Sequence, residues 1–460
     1  VAGGAVAVVG LAVLAVVLLR GGKKERGEPP PAGPATPTGA PADTLAEALA
    51  EADRLDPGWR FEQLDARRAA VPDDRNGALQ LLAIRRQLPP GWPAAELQQT
   101  LDALPPPLER PPADQVAALR QALQPTAAAL APARRLVDFP SGRAPLKWEG
   151  LATLLPHAEA ARDAGALLAA DAIVRAADGD GDVACQSVRA VIHAGRALGD
   201  EPGPVSQLLR MALARRASFA LQWVLAQAEP PEAALRLIQQ ELQEEADHPG
   251  LLLALRGERA LRCDCFERLA RGDRDWMAQY QIPPLDGRLD EVRAVHARAL
   301  HNITEGIEIA KRPQREQPTA CADWSARSQA AVPAAQGPVE KGLADVFTLN
   351  GPPEGPLKMF QAGWRIQSTL RTAVVGVAAQ RYRLTHPGWP ERLEDLVATG
   401  LLREVPADPD TDGPLRLRSI GLGLVVYSAR AQKGPADDPQ QLDGNLCFRL
   451  AGATRGGSGR

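Results

Sequence analysis

Residues 204–246 read PVSQLLRMALARRASFALQWVLAQAEPPEAALRLIQQELQEEA, and this stretch decides the fold class. Val205, Leu208, Leu209 and Ala212 recur at helical spacing, as do Ala220, Trp223 and Val224, and then Leu235, Ile238 and Leu242. Pro230-Pro231 separates the stripes. Proline is tolerated in the first turn of a helix and breaks its interior, so the pair ends one helix and opens the next. The same pattern extends to both sides, predicting helices over 148–177, 183–199, 204–228, 231–246 and 249–271. Asp-Gly, Pro-Gly-Pro and His-Pro-Gly turns punctuate it. Short loops between amphipathic helices imply stacked antiparallel hairpins. No fixed period appears, so either a bundle or an irregular α-solenoid fits. Composition agrees: aromatics are 4% of the chain and Ala and Leu dominate, which suits helices better than sheets.

Toward the N-terminus, Thr44-Leu-Ala-Glu47 is a capping box ahead of a stripe of Leu45, Leu49, Ala52 and Leu55. That helix stops near Asp56-Pro57-Gly58. Others are expected over 60–70, from the turn at 72–74 through Gln87, over 94–103 and over 112–133. Three segments here, Asp56-Pro-Gly-Trp59-Arg60, Val71-Pro-Asp-Asp-Arg-Asn76-Gly-Ala78 and Leu88-Pro-Pro-Gly-Trp92-Pro93, together with the later Leu255-Arg256-Gly257-Glu258-Arg259-Ala260, resemble a group of uncharacterised single-anchor planctomycete membrane proteins. The similarity runs over most of residues 44–450. It implies a helical, membrane-associated or extracytoplasmic protein and carries no function.

Residues 1–19 contain no charge and no proline. As a helix they would span about 28 Å, close to the roughly 30 Å hydrocarbon core of a bilayer. The run is longer than a signal-peptide core and meets Arg20 without a small-residue cleavage site, so it reads as an uncleaved, single-pass anchor in the lipid bilayer. Residues 21–42 are a Pro/Gly-rich linker. Arg20, Lys23, Lys24 and Arg26 flank the anchor, which by itself would hold the following domain on the cytoplasmic side. The family resemblance instead implies an extracytoplasmic domain. The net charge of −3 gives no basic excess for nucleic acid, and none is expected as a partner.

Beyond residue 271 regularity falls. One helix is expected over 288–311, and after Pro313 the pattern thins to loop. A long helix follows from Leu357 to Thr385, a short one over 391–400, then β-like runs at 415–420, 424–428 and 446–450. Trp389-Pro390, Leu393, Pro406, Asp408-Pro409, Gly413-Pro414, Tyr427-Ser428, Asp437-Asp438 and Asp443 resemble the C-terminal unit of the major pseudopilins of type II secretion. The anchor lies far from this unit here, unlike in a pseudopilin. The chain thus divides into an anchor (1–20), a linker (21–42), an N-terminal helical segment (43–145), a central helical domain (146–356), and a long helix with a small α+β unit (357–460).

Chemistry-bearing patterns are sparse. Asp178-Gly-Asp180-Gly-Asp182 fails the EF-hand frame, which would need Gly where Val183 stands and Glu where Arg189 stands, so a polar turn is expected. Asp437, Asp438 and Asp443 are the candidate metal ligands, for Ca²⁺, because oxygen donors on a loop suit that ion and some pseudopilins bind it there. Cys263 and Cys265, two apart on a helix, diverge by about 200° and cannot share a metal unaided. His296 and His301 miss the i, i+4 spacing of a zinc helix, and Glu244 with His248 reads as a solvated face. Glu258 and Arg259 suggest a buried pair between helices. No nucleophile elbow, phosphate loop or dinucleotide motif is present, and no cofactor is implied. The expected role is a non-enzymatic scaffold or interaction protein of the cell envelope with an unidentified protein partner. The alternatives are an accessory of a secretion or pilus-like assembly, and a hydrolase whose site is assembled from distant residues.

Overall fold

The computed structural model describes residues 44–93, 95–104, 107, 110–280, 282, 285, 287–330, 354–409, 411, 413–421, 423–431 and 442–450. The anchor and linker expected over residues 1–42 lie outside these. Among the described residues, no helix is long and apolar enough to cross a membrane.

Helix α7 (Pro156–Ala177) is Ala-rich and buried around nearly its whole circumference. A helix apolar on all sides has to sit inside a protein. It contacts α8 (Gly181–Arg196) and α9 (Pro204–Gln227), which also contact each other. The approach of α7 to α9 is tight: a Cβ on Gly165 would lie 2.2 Å from a Leu213 methyl. Because the three helices touch mutually, the hairpins close into a bundle and do not trail as a one-dimensional stack. On its other sides α7 meets α3 (Gly77–Arg85), α5 (Ala113–Leu123) and α6 (Ala127–Arg134), from the N-terminal segment.

α10 (Glu232–Asp247) packs on α8 and on the long α15 (Glu354–Thr385). α11 (Gly250–Arg271) pairs with α13 (Leu289–Ala310), and α1 (Leu45–Leu55) lies across α13. The remaining helices are α2 (Phe61–Ala66), α4 (Ala95–Asp102), α12 (Arg274–Gln279), α14 (Gln317–Ala330) and α16 (Leu393–Ala398). The sheet is antiparallel in the order β1 (Arg416–Ile420), β2 (Gly423–Tyr427), β3 (Cys447–Leu450). It rests on α15, where Gly376 leaves room for the Phe448 ring. One core cluster runs from Leu81 through Leu450, so the N-terminal, central and C-terminal segments share it.

Three local expectations are corrected. The helix expected from residue 148 begins at Pro156, because proline fits the first turn and not the interior. The helix expected over 112–133 breaks at a 3₁₀ turn, Gln124–Thr126, for the same reason at Pro125. The loop expected after Pro313 contains α14, whose Cys321 and Trp324 are buried against Phe360.

Candidate functional site

A buried polar constellation surrounds the turn Gly199-Asp-Glu-Pro-Gly203 between α8 and α9. Gly199 has φ 65°, and a Cβ there would lie 2.4 Å from the Gly142 carbonyl oxygen. The turn is held from several directions. Gln207 Nε2 donates to the carbonyls of Gly199 (3.2 Å) and Glu201 (2.9 Å), and Arg210 donates to Gly199 (3.1 Å). Arg68 reaches Asp200 at 3.4 Å and Asp65 at 3.0 Å. Gly257 of α11 packs so closely that a Cβ would meet the Pro202 carbonyl oxygen at 2.1 Å. Within the turn, Ser206 Oγ donates to Glu201 Oε1, and Glu201 Oε2 lies 2.8 Å from His157 Nε2.

Serine, glutamate and histidine together invite a hydrolase reading, but their order decides against it. A serine nucleophile needs the imidazole as its base. Here the carboxylate stands between the two and takes the hydroxyl proton's hydrogen bond itself. Ser206 is 0% exposed, and Glu201 and His157 are each 2% exposed, so no substrate carbonyl reaches them. The arrangement satisfies buried groups and joins α7, the turn and α9.

A second polar layer joins α8 to α10 and α9. Arg189 clasps Glu241 through Nε (3.0 Å) and Nη2 (2.7 Å). His193 lies 3.1 Å from Glu241 Oε1 and 3.1 Å from the Phe139 carbonyl. Arg196 and Arg210 both donate to Glu245, each at 2.9 Å. Burial alone would raise both glutamates' pKa values. The hydrogen bonds from His193 and Arg189 to Glu241, and from Arg210 with the nearby Arg196 charge at Glu245, outweigh it and hold both carboxyls below the usual range. His248 Nε2 donates to Gln207 Oε1 at 3.1 Å, and burial lowers its pKa to about 4.

The third joint ties the N-terminal arm to the bundle. Asp56 accepts from Arg256 at 3.0 and 2.6 Å and from Arg259, with Lys311 at 3.7 Å. Burial opposes its charge, but the Arg256 hydrogen bonds and these cations keep its pKa lowered. The guanidiniums of Arg60 (4.7 Å) and Arg259 (4.9 Å) both lie over the Trp59 ring, whose Nε1 donates to Asp53 at 2.9 Å. His301 Nδ1 meets Glu51 at 2.7 Å, and Lys311 donates to the Leu55 carbonyl at 3.0 Å. The segments Asp56–Arg60 and Leu255–Ala260, singled out separately in the sequence, therefore meet here. Glu258 and Arg259 are both buried but do not pair with each other. Glu258 binds Arg262 at 2.7 Å and Arg259 binds Asp56.

Other flagged residues also act locally. Asn76 takes the Ala78 and Arg143 amides and donates to the Arg143 carbonyl at 2.8 Å, pinning Gly77 beside Ser141. Asp408 accepts from Ser428 Oγ (3.0 Å) and the Ala429 amide (2.8 Å), closing the Pro406–Gly413 turn onto the end of β2. Asp178 binds Arg120, and Asp180 caps α8 through the Val183 amide. Glu244 binds Arg196, while His248 is half-buried and not on a solvated face. His296 is buried and stacked on Phe266. Cys263 and Cys265 face different clusters, and burial drives the Cys263 thiol to about 12 and the Cys265 thiol well up, leaving both protonated.

Of the candidate calcium ligands, Asp437 and Asp438 lie outside the described residues. Asp443 donates its amide to the Ala431 carbonyl at 2.8 Å, and its charge is felt by Arg215 and Cys447. Among the described residues, no group of three or more His, Cys, Asp or Glu side chains is arranged to hold a metal ion. Asp171, Glu241 and Glu245 gave no local signal of their partners: Glu241 and Glu245 belong to the acidic run Glu241–Asp247, and Asp171 is a single charge in an Ala-rich stretch. Asp171, for example, takes Arg134 at 2.6 and 2.8 Å and Ser187 at 2.6 Å.

Comparison of the chain with family models, with curated proteins and with solved structures gave no match.

Proposed function

We propose that this protein is a membrane-tethered helical frame, acting as a non-enzymatic interaction protein of the cell envelope, anchored through residues 1–19 with its folded part on the extracytoplasmic side. The observation that carries the reading is the Asp56 joint. The helix that follows the apolar segment and linker is fixed to the α11–α13 hairpin by Asp56 with Arg256, Arg259 and Lys311, and by Glu51 with His301. A tether entering through such a joint would position the whole bundle relative to the membrane. The buried carboxylates support the same reading, since Asp56, Asp171, Glu241 and Glu245 each cross-link segments distant in sequence. Alkaline carbonate washing of membranes tests the tether. The full chain should remain in the pellet, and a chain lacking residues 1–19 should be released. Release of the full chain would defeat the proposal.

A second reading, an accessory of a secretion or pilus-like assembly, is favoured by one feature. A long helix carries a three-stranded antiparallel sheet on its C-terminal half, with the Asp408 turn locking the connection. Crosslinking of the sheet to pilin-like subunits in intact cells is its test. Absence of any such adduct, with the carbonate result intact, would leave the scaffold reading alone.

A further inference from the structure

The two edges of the sheet are finished differently. The hairpin turns at Gly421 (φ 56°) with Ile420 opposite Gly423 as its closing pair. In a two-residue hairpin the closing pair exchanges hydrogen bonds, and alternate pairs follow. Arg416, Arg418 and Ile420 therefore turn their backbone groups to β2, while Leu417 and Ser419 turn theirs outward. On the opposite edge the same alternation turns the Arg449 amide outward, and Gln222 Oε1 of α9 accepts it at 2.9 Å. The β3 edge is thus closed by a side chain built for it. On β1, the backbone amides of Leu417 and Ser419 find no partner among the described residues.

We propose that the outer edge of β1 receives an extended, acidic segment of a protein partner as a fourth strand. The backbone supplies a row of donors and acceptors at strand spacing, and such edges are recognised by strand addition. The charge selects the partner: β1 reads Arg-Leu-Arg-Ser-Ile, without an acid, and the cation it exposes is Arg416. A second copy of the chain is a poor occupant. Antiparallel pairing of two β1 edges through Leu417 and Ser419 sets Arg418 opposite its mate, and like charges directly opposite destabilise a ladder. The same arginines discourage indiscriminate edge pairing. An extended segment alternating carboxylates with β-branched residues meets both demands. This proposal rests on the interaction reading above and names the partner's chemistry.

The test uses the full chain in detergent and a fluorescently labelled peptide alternating Glu and Val, with a Lys/Val peptide as control. The Glu/Val peptide should bind, more weakly as salt is raised, and the Lys/Val peptide should not. Ser419→Pro removes an outward amide that bonds nothing among the described residues, and should weaken binding about tenfold. Arg416→Glu should weaken it similarly and shift preference toward the Lys/Val peptide, which keeps the test decisive should Ser419→Pro fail to fold. Unchanged binding in both variants would overturn the proposal. So would failure of the Glu/Val peptide to bind, in which case the arginines only guard the edge. The carbonate wash reads the tether independently, so either idea can fail without the other.

Discussion

Asp56 is the residue on which most of the N-terminal arm depends. Its carboxylate neutralises Arg259, which is 0% exposed, and removing one partner of a buried pair leaves the other charge unsolvated. Asp56→Asn should cost about 3–5 kcal/mol in denaturant unfolding. A loss below about 1 kcal/mol would show that water reaches Arg259. Gly257 makes the complementary case through space and not charge. Gly257→Ala places a methyl 2.1 Å from a backbone oxygen that cannot rotate away. It should lower stability by about 1–3 kcal/mol. Both residues were visible in the sequence as members of unusual segments. What each one meets was not, because Asp56 and Arg256 lie 200 residues apart and no local pattern encodes a pairing at that distance.

Helices were the most legible elements, because apolar stripes and proline breaks are local. α8, α9, α10, α11, α13 and α15 fall close to their expected spans. α14 was hidden: Cys321 and Trp324 are the apolar anchors of its buried face, but Gln317 and Ser325 are buried beside them, so no apolar stripe shows in the sequence. The strands were legible as short runs joined by Gly and Asp turns, of which only β2 carries a β-branched pair, Val425-Val426. Their seat on α15 depends on Gly376, a glycine that looks unremarkable inside a helical pattern. Gly376→Ala would set a Cβ 2.2 Å from the Phe448 ring. The sheet should loosen from the helix, seen as faster amide exchange in residues 416–427 with little change in α8. Phe448→Ala should destabilise by about 3–5 kcal/mol, as expected for emptying a buried aromatic site. Unaltered exchange in both variants would mean the sheet is held by its loops.

At the scale of the whole molecule, the buried titratable groups give acid sensitivity in two stages. Burial lowers the His248 and His296 pKa values to about 4. Their ordinary value is 6.5, so between these limits the unfolded chain binds more protons than the folded one. Stability should therefore be full above pH 6.5 and fall as pH drops toward 4, by up to about 3 kcal/mol for each histidine. Asp56, Glu241 and Glu245, whose folded pKa values are lowered, add a further loss as pH falls below the usual carboxylate range. Replacing His296 with Phe should flatten the first stage, measured by urea unfolding across pH. An unchanged slope would remove His296 from the account.

The central claim is that the N-terminal arm is part of the frame, so that whatever tethers the chain positions the bundle. Hydrogen–deuterium exchange of the full chain tests it most directly at residues 45–55. An isolated helix of this length is marginal in water and would exchange almost as a free peptide. If the Asp56 joint fixes α1 to α13, its amides should be protected nearly as strongly as those of α11 and α13. Exchange at the free-peptide rate, with α11 and α13 protected, would contradict the account: the arm would be a loose leader and the bundle would hang unoriented from it.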